Sequence, residues 1–269
     1  MTVISVCLGR SREGHDVELD AGSAWHWAVQ GATRSGKSVL SYVLLAQLAQ
    51  HPEVVVAGVD PTGILLHPFE SAPHPEWRAL GSKDMSASLE VMDALVDEMD
   101  RRIDQLRASD LDKLEDFTEQ VPLIFVVLEE YPGTLSAAEA DDEAEGRAPK
   151  ARLASKIKRD VRRLIQEGAK VGLRVLVLAQ RFDASIVGGA ERSNIGARVT
   201  LRVDNLDAIT MLHPHLAPEI ADAVPRFPVG RGVLELPGDG EAIFQTDRIS
   251  YQAYLAHVRG HLGARQRRA

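Results

Sequence analysis

Cysteine is almost absent from this sequence, and no long apolar run occurs in it. Cys7 is the one cysteine among 269 residues, so the chain cannot form an internal disulfide. No apolar run approaches the roughly 20 residues that a membrane-spanning helix requires. The first ten residues also lack the succession of charged, apolar and small residues that is typical of a signal peptide. We therefore expect a cytoplasmic protein, and a membrane-bound partner remains compatible with that expectation.

Positive charge is scarce as well. The chain has 31 lysines and arginines against 39 aspartates and glutamates, and its formal net charge is -8. Such a chain cannot coat a polyanion with its whole surface, so any contact with nucleic acid must be a local basic patch. The hydrophobic content of 45% is that of an ordinary globular protein. This composition predicts a folded protein with one large α/β core or two modest ones.

Short apolar runs alternate with helix-like stretches, and this rhythm predicts an α/β fold with a mainly parallel sheet and helices on both faces. Four predicted strands end in polar groups or a glycine loop: Trp25–Val29, Val54–Val59, Leu123–Leu128 and Val175–Ala179. Ligands of open α/β sheets bind beyond the carboxyl ends of the strands, so these four ends should assemble a site. Further strands are predicted at Val199–Val203, Gly232–Leu236 and Glu241–Gln245, the last two as a hairpin through Gly238–Gly240.

Apolar residues at helical spacing predict two amphipathic helices, one from Met85 to Leu106 and one from Leu153 to Leu164. The second helix carries a basic face between Arg152 and Arg163. The segment Ala137–Lys150 is rich in alanine and acidic residues and shows no apolar periodicity, so it predicts a mobile acidic insertion. We expect residues 1–250 to form the main domain and residues 251–269 to form a C-terminal helix with a basic tail.

A phosphate-binding loop is the most specific motif. The pattern G-x-x-x-x-G-K-[ST] is matched at every fixed position by Gly31, Ala32, Thr33, Arg34, Ser35, Gly36, Lys37 and Ser38. In this pattern backbone N–H groups face the phosphates, Lys37 reaches the β and γ oxygens, and the Ser38 hydroxyl ligates Mg²⁺. The helix that follows, from Lys37 to about Gln50, directs the positive end of its dipole at the same anion. The expected cofactors are ATP and Mg²⁺.

Acidic residues at the end of the Leu123–Leu128 strand supply the remaining catalytic groups. We assign Glu129 to the metal and Glu130 to the attacking water. Aspartate is usual at the first position, so Glu129 adds a methylene to the metal ligand. Two solvated acids are the alternative interpretation. Gln180 ends the next strand, where its amide can bond the γ-phosphate and the water, although it can equally be a hydrogen-bonded polar residue of the sheet.

Several motifs, taken in order, resemble those of the FtsK/SpoIIIE family of DNA translocases. The ordered motifs are Gly31–Ser38, Val59-Asp60-Pro61, Glu98-Met99-Asp100-Arg101-Arg102, Ala179-Gln180-Arg181, Ser193–Val199 and Gly230-Arg231-Gly232. The likeness spans roughly Ser5 to Ile249. It implies a RecA-like P-loop NTPase domain that forms a hexameric ring, holds ATP between neighbours and moves double-stranded DNA through a central channel. A short, single-lobed chain of this kind is similar to transfer proteins of actinobacterial plasmids and integrative elements, or to a phage protein.

A ring motor also needs an arginine from the neighbouring subunit, because its charge offsets that of the transferring phosphoryl group. Arg198 is the first candidate and Arg163 the second. DNA should be met through its phosphates, either by Gly188–Arg192 as a channel loop or by the basic face of the Leu153–Leu164 helix, unless that face is merely solvated. Two other functions stay open. One is a related ATPase that drives protein secretion, and the other is a nucleotide-binding ring subunit in which Glu129 has weakened hydrolysis.

Overall fold

The computed structural model describes residues 3–81, 83–182 and 189–267. In these parts of the chain the strands are β1 (Ser5–Arg10), β2 (Asp16–Asp20), β3 (His26–Gln30), β4 (Val54–Asp60), β5 (Arg78–Leu80), β6 (Leu123–Leu128), β7 (Leu173–Ala179), β8 (Ile195–Thr200), β9 (Arg231–Leu236) and β10 (Gly240–Gln245). The helices are α1 (Lys37–Leu48), α2 (Met85–Ala108), α3 (Tyr131–Ala144), α4 (Leu153–Glu167), α5 (Gly189–Asn194), α6 (Leu206–Leu212), α7 (Pro218–Ala223) and α8 (Tyr251–Gln266).

All of these strands join one sheet in the order β2-β1-β10-β9-β8-β3-β7-β6-β4-β5. The run from β8 to β5 is parallel, whereas the strands on the β9 side pair antiparallel. Strand β3 lies between β7 and β8, and β6 lies between β7 and β4. The carboxyl ends of β3, β4, β6 and β7 therefore meet at one edge of the sheet, as predicted.

Two apolar cores lie on opposite faces of this sheet. Along β4, Val55, Ala57 and Val59 join the core that contains buried residues of α2, α3 and α4. The alternating residues Val54 and Val56 join the core that contains those of α1 and α8. Successive side chains of a strand point to opposite faces, so a strand buried on both sides reads as one continuous apolar run. The predicted α/β class, with a mainly parallel sheet and helices on both faces, is confirmed.

Most of the predicted strands and helices are confirmed within a few residues of their ends, but one strand begins earlier than predicted. β8 starts at Ile195, whereas the sequence predicts a strand at Val199–Val203. Glycine and alanine are weak strand formers, so residues 196–198 carry little local signal. Parallel pairing with β3 selects the observed strand, and a side chain at Gly196 would collide with the ring of Trp25.

The acidic segment at residues 137–150 also differs from the prediction. Its first part, through Ala144, is the second half of helix α3, in which Ala138 and Asp142 are buried. The Asp142 carboxylate accepts the N–H groups of Leu153 (2.8 Å) and Ala154 (3.1 Å) at the start of α4. The prediction of a mobile insertion is wrong for these residues. Alanines on the packed face give too weak a hydrophobic signal to reveal a helix.

Helix α8 packs on the core that contains α1. Tyr254, Val258 and Leu262 are buried there, and the Tyr254 hydroxyl donates to the Leu65 carbonyl at 2.7 Å. The Tyr254 ring also stacks on that of Tyr42, with ring centroids 4.7 Å apart. Residues 251–266 thus share one core with the preceding chain. No helix within the described residues is long and apolar enough to cross a membrane.

Candidate functional site

The glycine-rich loop between β3 and α1 is held in shape by distant parts of the chain. Ala32 N–H donates to the Arg202 carbonyl (2.9 Å), and Gly230 N–H donates to the Ser35 carbonyl (2.8 Å). At Gly36, φ is 102°, and an added Cβ would lie 2.7 Å from the Gly230 nitrogen. Only glycine combines this left-handed backbone with so close an approach, so the second fixed glycine of the motif is explained by the packing.

The inside of this loop is a cradle of backbone donors. Within the described residues, the N–H groups of Thr33, Arg34 and Gly36 have no hydrogen-bond acceptor, and the same holds for the N–H groups of Lys37 and Ser38 in the first turn of α1. The Ser35 hydroxyl belongs to the same loop and is buried there, also with no partner. Unpaired donors that converge at a helix N-terminus form a binding site for an anion such as phosphate.

The predicted acid pair lies against this loop. Glu130 follows Glu129 directly after β6, and its Oε2 is 2.8 Å from Nζ of Lys37. The backbone of Glu130 is left-handed, with φ of 44°. Its other oxygen lies 3.4 Å from the backbone N–H of Gln180 at the end of β7. Glu130 therefore connects the phosphate-loop lysine to the neighbouring strand end.

Glu129 lies deeper and beside a second carboxylate. Burial is the main cause that raises the pKa of Glu129 to about 7, and the charge of Asp60 and a hydrogen bond with it add to the effect, whereas Lys37 opposes it. One Glu129 oxygen is buried without a partner. Asp60 is fully buried and accepts bonds from the backbone N–H groups of Thr62, Gly63 and Leu66. The loop after β4 is thus anchored to the same acidic centre.

A cavity of about 180 Å³ opens between the phosphate loop and the loop after β4. Its lining includes Lys37, Ser38, Thr62, Ile64 and Glu129. Two larger cavities, of about 450 and 520 Å³, have linings that include none of the predicted site residues. The smaller cavity is the one in which a lysine, a serine hydroxyl and a carboxylate converge, so we take it as the place for the phosphate end of a nucleotide.

The donor set around this cavity fits a magnesium–nucleotide complex. Mg²⁺ is usually held by one or two carboxylates together with phosphate oxygens and water. Glu129 provides a carboxylate with an unpaired oxygen, and Ser38 provides a hydroxyl oxygen as a second protein ligand. The described residues contain no cluster of three or more histidine, cysteine or acidic side chains suited to a metal, so a metal here would depend on the phosphates for the rest of its shell.

Comparison with known proteins identifies the family. The model of the FtsK/SpoIIIE family matches residues 3–222. The chain belongs to the FtsK/SpoIIIE family. Among curated relatives, DNA translocase SftA of Bacillus subtilis (strain 168) is 25% identical over 96% of this chain and 27% of its own length. DNA translocase SpoIIIE of the same organism is 23% identical over 76% of this chain and 26% of its own. The chain spans about a quarter of the curated relatives that it matches.

Solved structures agree on the fold. The pCW3 conjugation coupling protein TcpA, in a monomer form with ATPγS, superimposes with a TM-score of 0.76 at 21% identity, covering 98% of this chain and 71% of that one. The cytoplasmic domain of the Thermomonospora curvata type VII secretion ATPase EccC gives 0.71 at 22% identity, covering 97% and 31%. These likenesses establish the P-loop NTPase fold. With the family match, they make nucleotide the expected ligand of the loop.

Two of the predicted FtsK/SpoIIIE site residues are less closely tied to the loop. Gln180 follows β7 as predicted, but its side chain is exposed, and only its backbone N–H approaches Glu130. Arg198 lies in strand β8, and its guanidinium bonds to the carbonyls of Ile195 and Arg192 and to Glu235. A sensor role for Gln180 and a role in trans for Arg198 remain predictions.

Arg163, the second candidate for a role in trans, is engaged in a network of ion pairs. Its guanidinium bonds to Asp100 at 2.7 and 3.0 Å and to Glu167 at 3.0 and 3.1 Å. These bonds raise the pKa of Arg163 above its ordinary value, with Asp100 as the largest cause. To act on a neighbouring subunit, Arg163 would have to give up bonds to two carboxylates.

The two predicted DNA surfaces differ in how well the structure agrees with the prediction. Gly188 lies outside the described residues, and Gly189–Arg192 belongs to helix α5 rather than to a flexible loop. Arg192 donates from its guanidinium to the Met211 carbonyl. On the basic face of α4, Arg159 and Arg163 are paired with acids. Contact with DNA at either surface stays a prediction.

The sequence did not reveal the residues outside the motif that support the phosphate loop. Gln30, the last residue of β3, is fully buried. Its amide donates to the Thr200 hydroxyl (2.9 Å) and the Ala208 carbonyl (3.0 Å) and accepts from Phe182 N–H (3.1 Å). Nothing local in the sequence signals this role. Gly230 did carry a signal, because it belongs to one of the motifs that resemble the FtsK/SpoIIIE family. Its contact with Gly36 was not predictable, since the two residues lie almost 200 positions apart.

Proposed function

We propose that this chain is an ATP-driven double-stranded DNA translocase domain of the FtsK/SpoIIIE type, which hydrolyses ATP at the subunit interfaces of a ring. Plasmid or mobile-element DNA transfer is the process that we assign to it. The observation that supports this proposal best is the contact of Lys37 with Glu130, with Glu129 behind it. The phosphate-loop lysine thereby contacts one acid and lines a cavity together with the other, which is an arrangement that hydrolysis of a phosphoanhydride can use.

The residues divide the work of hydrolysis. The N–H groups of the loop and the Lys37 ammonium hold the β- and γ-phosphates, and Ser38 and Glu129 hold the metal. Bound Mg²⁺ would supply neutralisation of charge on the phosphate oxygens. Lys37 transfers its ion pair from Glu130 to the γ-phosphate when nucleotide binds. Glu130 is then free to orient the attacking water and to accept its proton.

In a ring, the neighbouring subunit can supply an arginine to the nucleotide site. We propose self-association, as a hexamer, with an arginine of the neighbouring subunit completing the site. For Arg198 this requires release from Glu235 and two carbonyls, and for Arg163 release from Asp100 and Glu167. DNA is held through its phosphates, which suits a motor that ignores sequence. A cytoplasmic location, with a possible membrane-bound partner, completes this proposal.

The first test is steady-state ATP hydrolysis with and without linear duplex DNA, with Lys37→Ala as the background. We expect DNA to raise turnover several-fold and added salt to abolish the increase, since phosphate contacts weaken steeply with salt. The Lys37→Ala variant should show neither basal nor stimulated turnover. Turnover that is indifferent to DNA at low salt would refute the translocase proposal.

A second candidate function is an FtsK-like ATPase that energises protein secretion. The similarity to EccC, with a TM-score of 0.71 over 97% of this chain, favours it. It predicts turnover that DNA leaves unchanged and that a peptide cargo increases. A third candidate, a ring subunit with little hydrolysis, rests on the extra methylene of Glu129 at a position where aspartate is usual. It predicts tight ATP binding without turnover, and Glu129→Asp should then restore hydrolysis.

A further inference from the structure

Arg34, in the middle of the phosphate loop, has a backbone conformation that an arginine rarely adopts. Its φ is 64°. An L-residue in this left-handed region costs roughly 1 kcal/mol or more, whereas glycine adopts it freely. Asp110, another residue of the described chain with positive φ, is of a type that tolerates the region, but arginine is not. A strained residue within a functional loop points to a use for its side chain.

The surrounding structure enforces this conformation without using the side chain. The Arg34 carbonyl accepts a bond from the Arg202 guanidinium at 3.1 Å, and the adjacent Ser35 carbonyl accepts from Gly230. The Arg34 residue itself is exposed. Within the described residues its guanidinium has no hydrogen bond or ion pair. The fold therefore bears the strain at this position and gains no contact from the arginine side chain.

The charge of the site indicates what the side chain serves. Glu129 lines the cavity and feels the charge of the buried Asp60, and the Lys37 ammonium is already paired with Glu130. A nucleoside triphosphate adds several further negative charges to this acidic centre. A second fixed cation on the loop itself would offset them. The guanidinium fork matches phosphate oxygens in shape and stays charged at any physiological pH.

We infer that the Arg34 side chain is a nucleotide contact in its own right, which binds the polyphosphate from the loop and adds a second cation to Lys37. The inference rests on the proposed nucleotide site and adds a side chain to the backbone cradle. It assigns the strain at residue 34 to ligand binding. It also predicts opposite effects of one substitution on stability and on affinity, which a merely structural residue would not show.

The test is the Arg34→Gly variant. We expect its melting temperature to equal or exceed that of the unchanged protein, because glycine removes the strain and no contact is lost. We expect the dissociation constant for ATPγS with Mg²⁺ to rise about tenfold, the scale of one charge-assisted hydrogen bond discounted for exposure. Calorimetric titration of the monomer, without DNA, measures this constant independently of turnover.

Two further variants and a second ligand sharpen the experiment. Asp110→Gly, which relieves a left-handed residue of an exposed turn, should leave ATPγS affinity unchanged. Arg34→Lys keeps the charge but loses the forked guanidinium. Its affinity for ATPγS should therefore fall between those of the unchanged protein and Arg34→Gly. AMP should bind Arg34→Gly and the unchanged protein equally, because it lacks the β- and γ-phosphates.

Equal ATPγS affinity of the unchanged protein and Arg34→Gly would overturn the inference while leaving the proposed function intact. A variant that binds ATPγS normally but loses DNA-stimulated turnover would also overturn it, because Arg34 would then serve a neighbouring subunit or DNA. Failure of the unchanged protein to bind ATPγS would instead refute the proposed function, and the inference with it.

Discussion

At the scale of single residues, the site is organised by the pairing of its charged groups. The Lys37 ammonium has Glu130 as its partner, at 2.8 Å, and Glu129 shares its surroundings with the buried carboxylate of Asp60. Like charges this close favour protonation of one member of the pair. Glu130 therefore holds the lysine that phosphate must recruit, whereas the unpaired oxygen belongs to Glu129.

Replacement of Glu130 by glutamine separates binding from hydrolysis. Glu130→Gln removes the anion that competes with phosphate for Lys37, so we expect ATPγS to bind as tightly as before or tighter. Turnover should fall by about 10²- to 10⁴-fold, the usual contribution of a general base. Single-turnover hydrolysis and nucleotide titration on the same preparation measure both effects. Unchanged turnover would show that another group activates the water.

At the scale of secondary structure elements, helices α3 and α4 are joined by an aspartate that serves as a remote cap. Asp142 of α3 accepts the first two N–H groups of α4, and Arg147 lies 3.4 Å from the same carboxylate. Capping bonds lower the pKa of Asp142, although burial opposes this. The start of α4 depends on a side chain from the preceding helix, since Arg152 at the N-cap position makes no capping bond with its own side chain.

Loss of this cap should destabilise the fold without touching the nucleotide site. We expect Asp142→Ala to lower the free energy of unfolding by about 1–3 kcal/mol, because it leaves buried N–H groups unpaired. Chemical denaturation with a fluorescence or circular dichroism readout measures the change. Asp141→Ala, one residue earlier and on the more exposed side, is the matched control and should cost well under half as much. Equal losses for both variants would contradict the capping role.

Secondary structure elements could be predicted where their sequence signal is local. Contacts between residues far apart in the sequence could not. The loop from Gly31 to Ser38 and the run Leu123–Leu128 before two glutamates are recognisable within a dozen residues each. The pairing of Asp60 with Glu129 requires β4 and β6 to be neighbours, and parallel pairing leaves no short-range mark on a sequence. The bonds of Arg198 to Glu235 depend likewise on the pairing of β8 with β9. Helix α3 went unrecognised because alanine packs well while contributing little to a hydrophobic pattern.

At the scale of the whole molecule, the sheet contains a histidine that resists protonation. His26 begins β3 and is almost fully buried, and its Nδ1 accepts the N–H of Val175 from β7 at 3.0 Å. Burial is the main cause that lowers the pKa of His26 to about 3, and the charge of Arg174 adds to the effect. Protonation would disrupt this bond between β3 and β7.

This shift makes the stability of the protein sensitive to acid. The unfolded chain binds a proton at this histidine below pH 6.5, whereas the folded chain does so only near pH 3. The contribution of His26 to the free energy of unfolding should therefore be fully present above pH 6.5. Below that pH it should decrease by up to about 1.4 kcal/mol per pH unit. Urea denaturation at pH 8, 6 and 5 measures the slope.

The His26→Asn variant keeps an acceptor for Val175 but cannot bind the proton. We expect it to be less stable than the unchanged protein at pH 8, because the smaller side chain leaves a gap in the core. Its stability should fall less steeply between pH 6.5 and 5. The exposed His15→Asn variant is the control and should keep the slope of the unchanged protein. A His26→Asn variant with that same slope would assign the acid sensitivity to other groups.

The close approach of Gly230 to Gly36 has a consequence for the order in which the protein acquires its binding capacity during synthesis. The phosphate loop is translated early, yet its carbonyl at Ser35 and its glycine turn are supported by a backbone about 200 residues later. A nascent chain that has not yet released residue 230 from the ribosome carries the whole motif but not its support. Nucleotide can therefore act as a ligand of the supported loop only after residue 230 has emerged, when β1 to β8 have already been synthesised.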